Sequence, residues 1–262
     1  MVEVIMATMG RRDLTFLRGL AVDSDAIVIN QADRVGYEEE VTAHGRVRML
    51  SLRERGVGLS RNTGLHRSVG SICLLADDDI RLADGYARIV EDAFLANDKA
   101  DVVIFNLDEM GPYRRRVELP MRVRWSNYMN FGAPRIAFRR ESVLRERISF
   151  SLHFGGGSAY VAGEDTLFLR DCLRAGLRVV AVPEVVGTIL PDSESSWFDG
   201  FDSKYFHDRG ALYAASSGRV GYLLALQFAV RRRRLFQGAF SSVDAAREMV
   251  SGIRSYRQLG GG

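Results

Sequence analysis

A chain of 262 residues, 47% hydrophobic and 26% charged, holds one medium domain or a domain with an appendix, and this balance excludes a disordered or fibrous protein. The net charge of +3 is too small to argue for nucleic acid and suits an anionic small molecule or a membrane surface. Its four histidines and two cysteines are scattered, which excludes a structural zinc pattern, and Cys73 and Cys172 read as buried free thiols.

The first apolar run, Val2 to Met6, meets Arg11-Arg12 almost at once and carries no signal-peptide core. No apolar stretch approaches the roughly 20 residues of a membrane span, so a cytoplasmic protein is expected. Further runs follow at Ala26–Ile29, Val47–Leu52, Ser71–Ala76 and Asp101–Phe105. Runs this short and this continuous predict strands covered on both faces, hence a mainly parallel sheet. Between them, residues 59–69 place Leu59, Asn62, Leu65 and Val69 at helical spacing, and residues 84–97 carry a stripe from Tyr86 to Phe94. Strand and helix signals in alternation predict a doubly wound, Rossmann-like α/β fold. Beyond an irregular stretch over 108–162, a helix is predicted over Glu164–Ala175 and a strand over Arg178–Val182, stopped by Pro183. The tail reads as two or three helices.

Chemistry gathers at three places. Asp77-Asp78-Asp79 follows a strand directly, at the sheet edge where α/β proteins bind ligands. Three adjacent carboxylates repel unless they are solvated or bridged by cations, and oxygen ligands suit Mg²⁺ or Mn²⁺; a solvated acidic turn would look the same. Gly56 to Gly64 is a glycine-rich helix start in which Ser60 or Asn62 can cap and Arg61 offers a fork for phosphate. It has neither the dinucleotide nor the P-loop fingerprint. Gly163-Glu164-Asp165 opens a helix, and its acids serve either as caps or as a base at the mouth of a site.

In order, the Ala7–Arg11 turn, Gly58-Leu59-Ser60-Arg61-Asn62, the Asp77–Asp79 triplet and Gly163-Glu164-Asp165 resemble the family-2 glycosyltransferases of GT-A fold, over residues 1–190. The resemblance implies a nucleotide-sugar donor, a UDP-sugar in many relatives, held by Thr8, Arg11, Asn30, Gln31, Asp33, Arg61, Asn62, Asp77 and Asp78. It implies a divalent cation, Mn²⁺ or Mg²⁺, on Asp77 and Asp79, with His207 as a weaker third ligand. Glu164 and Asp165 become the catalytic pair, with Asp165 as the base of an inverting transfer. Gly156, Gly157 and Trp197 stand on the acceptor side. The acceptor implied is a glycan or lipid-linked sugar, as in cell-envelope or extracellular polysaccharide synthesis. The QxxRW element of processive synthases is missing, which favours single additions.

The expected domains are a GT-A domain over 1–215 and a helical C-terminal extension over 216–262. In the extension, apolar Val220 to Val230 runs into Arg231, Arg232, Arg233 and Arg234, which reads either as a packed helix with a basic end or as a peripheral contact at the inner face of the cell membrane. Two rival functions share this layout: a sugar-phosphate nucleotidyltransferase, and a nucleotide- or glycan-binding protein without turnover.

Overall fold

Alternation along the apolar runs is what builds two cores from one sheet. A computed structural model describes residues 1–108, 116–190 and 200–260. Two units are resolved, one of Met1–Leu152 and Glu164–Ser193, the other of His153–Gly163 and Glu194–Gly262.

The first unit runs β1 (Val2–Met9), β2 (Asp25–Gln31), β3 (Gly36–Val41), β4 (Arg46–Leu52), α1 (Val57–Arg67), β5 (Ile72–Asp77), β6 (Ile80–Leu82), α2 (Tyr86–Ala96), β7 (Val102–Asp108), β8 (Met121–Arg122), β9 (Ile136–Arg139), α3 (Arg140–Arg145), α4 (Glu164–Arg174) and β10 (Val179–Ile189). Among the described residues the sheet order is β3-β4-β2-β1-β5-β9-β7-β10-β6, with β8 pairing on β10. The stretch β4-β2-β1-β5 is parallel, as is β7-β10, so the α/β fold with flanking helices is as the sequence implies. Val4, Met6, Val28 and Leu74 point to one face, where Tyr86, Val90 and Phe94 of α2 cover them. Ile5, Ile27, Ile29, Cys73 and Leu75 point to the other, under Leu65 of α1 and Phe168, Leu169 and Cys172 of α4. Both cysteines are free and buried, and burial pushes their thiols up, that of Cys73 to about 12.

Three details differ from the sequence reading. Short β9 inserts antiparallel between β5 and β7, a strand too brief for periodicity to reveal. β10 does not stop at Pro183; its register on β7 shifts between Ala181 and Val185, and the proline, having no N–H to donate, sits within that irregularity. Helix α1 buries Gly58, Ser60, Arg61, Gly64 and Leu65, whereas Val69 lies beyond it and is exposed. Small residues, Leu65 and one arginine therefore form its inner face, against the expectation of an apolar stripe.

The second unit holds α5 (Ser203–Ser217), α6 (Gly221–Arg231) and α7 (Ser242–Gln258). Phe206, Tyr213, Phe228, Phe236, Met249 and Ile253 form its core. Gly210 and Gly252 let α5 and α7 meet backbone to backbone, since a Cβ at either would collide with the main chain of Met249 or His207. The expected boundary at 215 thus falls at the end of α5, inside this unit, because α5 packs on helices far downstream that local patterns do not reveal. No helix among the described residues is long and apolar enough to cross a membrane.

Candidate active site

Parallel register brings the first two predicted features to one edge. Ala7 of β1 pairs with Asp77 of β5, and Thr8 and Met9 pair with Asn30 and Gln31 of β2, so the C-terminal ends of three strands lie level. The acidic triplet forms the tight link from β5 into β6. All three aspartates are half-buried, and the Asp79 carbonyl accepts from Leu190 N–H at 2.9 Å, which ties the link to the end of β10.

Asp78 is neutralised by the β1 turn. Arg11 Nη2 donates to Asp78 Oδ2 at 2.8 Å, and the Thr8 hydroxyl donates to the same oxygen. Asp77 and the Gly163-Glu164-Asp165 element meet through a single side chain. Arg61, 3% exposed, donates from Nη1 to Glu164 Oε1 at 2.6 Å and from Nη2 to Asp77 Oδ1 at 3.0 Å. Burial works against the guanidinium charge, but Asp77 and Glu164 hold it above its ordinary pKa. Burial, joined by the charge of Asp165, pushes the Glu164 carboxyl up to about 7 against the pull of Arg61. Arg61 is therefore not the open phosphate fork expected from the sequence. It is a buried clamp between two acidic motifs, 103 residues from Glu164 and 16 from Asp77 along the chain.

Asp165 is half-buried at the first turn of α4. Its Oδ1 accepts from Thr166 N–H at 2.6 Å and its Oδ2 from Ala133 N–H at 2.8 Å. Gly132 lies so close to Oδ2 that a Cβ there would overlap it. The Gly132-Ala133 backbone is a part of the site that the sequence reading missed; the only signal was the turn-forming Gly132-Ala133-Pro134, whose Ala133–Pro134 bond is cis.

Other predicted contacts serve the frame. Asn30, fully buried, receives Arg11 N–H at 3.0 Å and donates to the Arg11 carbonyl and to Ser51 Oγ. Gln31 Oε1 accepts from Gly56 N–H at 2.9 Å and so holds the start of α1. Asn62 binds Phe150 through both backbone groups, at 2.9 and 2.7 Å. All three amides hydrogen-bond backbone groups of neighbouring segments and so help to hold the frame of the site. Asp33, by contrast, is exposed beside Arg55, at 2.8 Å, and lines a cavity with Ala32 and Arg53.

The remaining residues belong to the second unit. His207 Nδ1 lies 3.4 Å from Asp208 Oδ1 and its ring stacks on Tyr160, which is how a structural histidine behaves. Gly156 and Gly157 are exposed in a loop anchored by stacked Phe154 and Tyr160. Trp197 lies outside the described residues. Among the described residues no group of three or more His, Cys, Asp or Glu side chains is arranged to hold a metal ion. Asp77 and Asp79 nonetheless supply two hard oxygen donors on one turn, which fits Mg²⁺ or Mn²⁺ when phosphates and water complete the shell.

Solved structures share this fold. The chain is similar to S. aureus TarS 1–349 in complex with UDP-GlcNAc, at TM-score 0.64 and 14% identity, covering 98% of this chain and 80% of that one. The same TarS segment in complex with UDP matches at TM-score 0.58 and 13% identity, over 98% of this chain and 91% of that one. The mannosyltransferase PcManGT from Pyrobaculum calidifontis, in complex with GDP-Man and Mn²⁺, matches at TM-score 0.51 and 13% identity, over 99% and 75%. No family model and no curated protein matches the chain. These neighbours are glycosyltransferases that bind nucleotide sugars, and the chain has their fold.

Proposed function

We propose that the chain is a family-2, GT-A inverting glycosyltransferase that moves a sugar from a nucleoside diphosphate donor to an acceptor hydroxyl. The observation that carries this reading is Arg61, whose two nitrogens join Asp77 of the acidic turn to Glu164 beside Asp165. A buried arginine shared by both motifs keeps a metal-binding turn and a candidate base at one edge of the sheet.

Asp77 and Asp79 are the groups that would hold a divalent cation; when bound, such an ion neutralises charge on a departing diphosphate. The chain's own residues do the rest. Asp165 accepts the proton of the attacking hydroxyl, the acceptor oxygen bonds to the anomeric carbon, and the bond from that carbon to the diphosphate breaks, its electron pair leaving with the nucleotide. Thr8 and Arg11 hold Asp78 by hydrogen bonds, where it would meet the donor, and exposed Asp33 would meet the nucleoside. Glu164, buried against Arg61, is a positioning residue and takes no part in proton transfer. The acceptor is a glycan or a lipid-linked sugar.

Incubation with a panel of UDP- and GDP-sugars and Mn²⁺ is expected to release UDP or GDP slowly even without acceptor. Formation of UTP or GTP that depends on pyrophosphate would identify a nucleotidyltransferase. Binding of donors with no release at all would identify a protein without turnover.

A further inference from the structure

We propose that helix α6 docks the second unit on an anionic lipid bilayer. The inner face of α6 is already satisfied: Ala225, Phe228 and Ala229 are buried in the core made with α5 and α7. The outer face is apolar too. Leu223, Leu226 and Val230 are 68%, 58% and 58% exposed, and Val220, one turn before them, is exposed as well. Their spacing of three and four residues puts them on one stripe along the helix. Apolar side chains in such a row, facing away from a core that is already filled, mark an interaction surface.

Charge chooses the occupant. Arg231, Arg232, Arg233 and Arg234 follow the stripe directly and are all exposed, and Arg219 stands exposed at its other end. Among the described residues none of these five arginines forms an ion pair with an acidic side chain of the chain. A second copy of the chain placed on this face by a two-fold axis would set the arginine cluster against its own image or, with the helices antiparallel, against Arg219, and both contacts repel. Nucleic acid would match the arginines and leave the leucines in water. An anionic bilayer matches both parts, because acyl chains take up the stripe while headgroup phosphates pair with the guanidinium groups.

The test is flotation of the full chain with phosphatidylcholine vesicles, with and without phosphatidylglycerol. Binding is expected only to the anionic vesicles and is expected to weaken as salt rises. Changing Arg231–Arg234 to Gln removes roughly fivefold in partitioning per arginine, on the order of several hundredfold together. Changing Leu223, Leu226 and Val230 to Ser, all solvent-facing, is expected to abolish flotation while circular dichroism stays as in the wild type. Equal flotation of wild type and either variant overturns the proposal, as does failure to bind either vesicle. Concentration-dependent dimerisation in sedimentation, lost in the Ser variant, would assign the face to a second copy and also overturn it. None of these readouts uses a donor, so failure of the transferase reading would leave them unchanged.

Discussion

Asp165→Asn is expected to lower nucleotide release by about a thousandfold, within the range that a general base contributes, while the donor binds within about twofold of wild type. The substitution keeps size and shape but removes the site that takes the proton. It also has a structural cost. Both carboxylate oxygens accept backbone N–H groups, from Thr166 and Ala133, and an amide can accept only one of them, so its NH₂ faces the other donor. That mismatch is expected to cost about 1–3 kcal/mol of stability, small enough to leave the fold intact. Parallel measurement of release rate, donor affinity by calorimetry and thermal midpoint separates the two effects. Wild-type release from a folded Asn variant would show that another group is the base.

Arg61→Met is expected to be the most destabilising single change in the site. It leaves Glu164 buried without its partner, and breaking a buried ion pair costs about 3–5 kcal/mol. At about 2–4 °C per kcal/mol for a chain of this size, the thermal midpoint should fall by roughly 10 °C. Adding Glu164→Gln to the same chain should recover a large part of the loss, since the charge left alone is then gone. The pH dependence has a definite sign. Glu164 titrates higher in the folded chain, raised from 4.5 to about 7, so the folded state binds more protons there. Its contribution is therefore complete at acid pH and fades as pH rises through that window. Without Arg61 the carboxyl rises further, so the deficit of Arg61→Met should be smaller near pH 5 than near pH 8. A deficit independent of pH would mean that loss of the Arg61–Glu164 ion pair does not set it.

Much of the fold was legible in the chain because parallel strands covered on both faces are continuous apolar runs, as in Val2–Met6 and Ile72–Ala76. The acidic edge was legible because Asp77–Asp79 follows such a run without a gap. What local pattern could not show was pairing at a distance. Arg61 read as a free fork because its partners lie at Asp77 and Glu164, brought to it only when α1 turns a face of glycines and one guanidinium toward the sheet. Asn30, Gln31 and Asn62 read as ligand contacts because an amide suits either a ligand or a backbone group, and their backbone bonds at a distance became visible only in the fold. The same reasoning explains α5, whose packing partners lie both on α7 downstream and around Tyr160 and Gly163 upstream.

The most direct test is a calorimetric titration of UDP and GDP into the wild type and into the Asp77→Asn/Asp79→Asn double variant, each with Mn²⁺ and with EDTA. The account predicts that one nucleotide binds the wild type far more tightly with Mn²⁺, and that the double variant loses this dependence while remaining folded. If neither nucleotide binds the wild type in either condition, or if the double variant binds as the wild type does, the acidic turn is not a donor site.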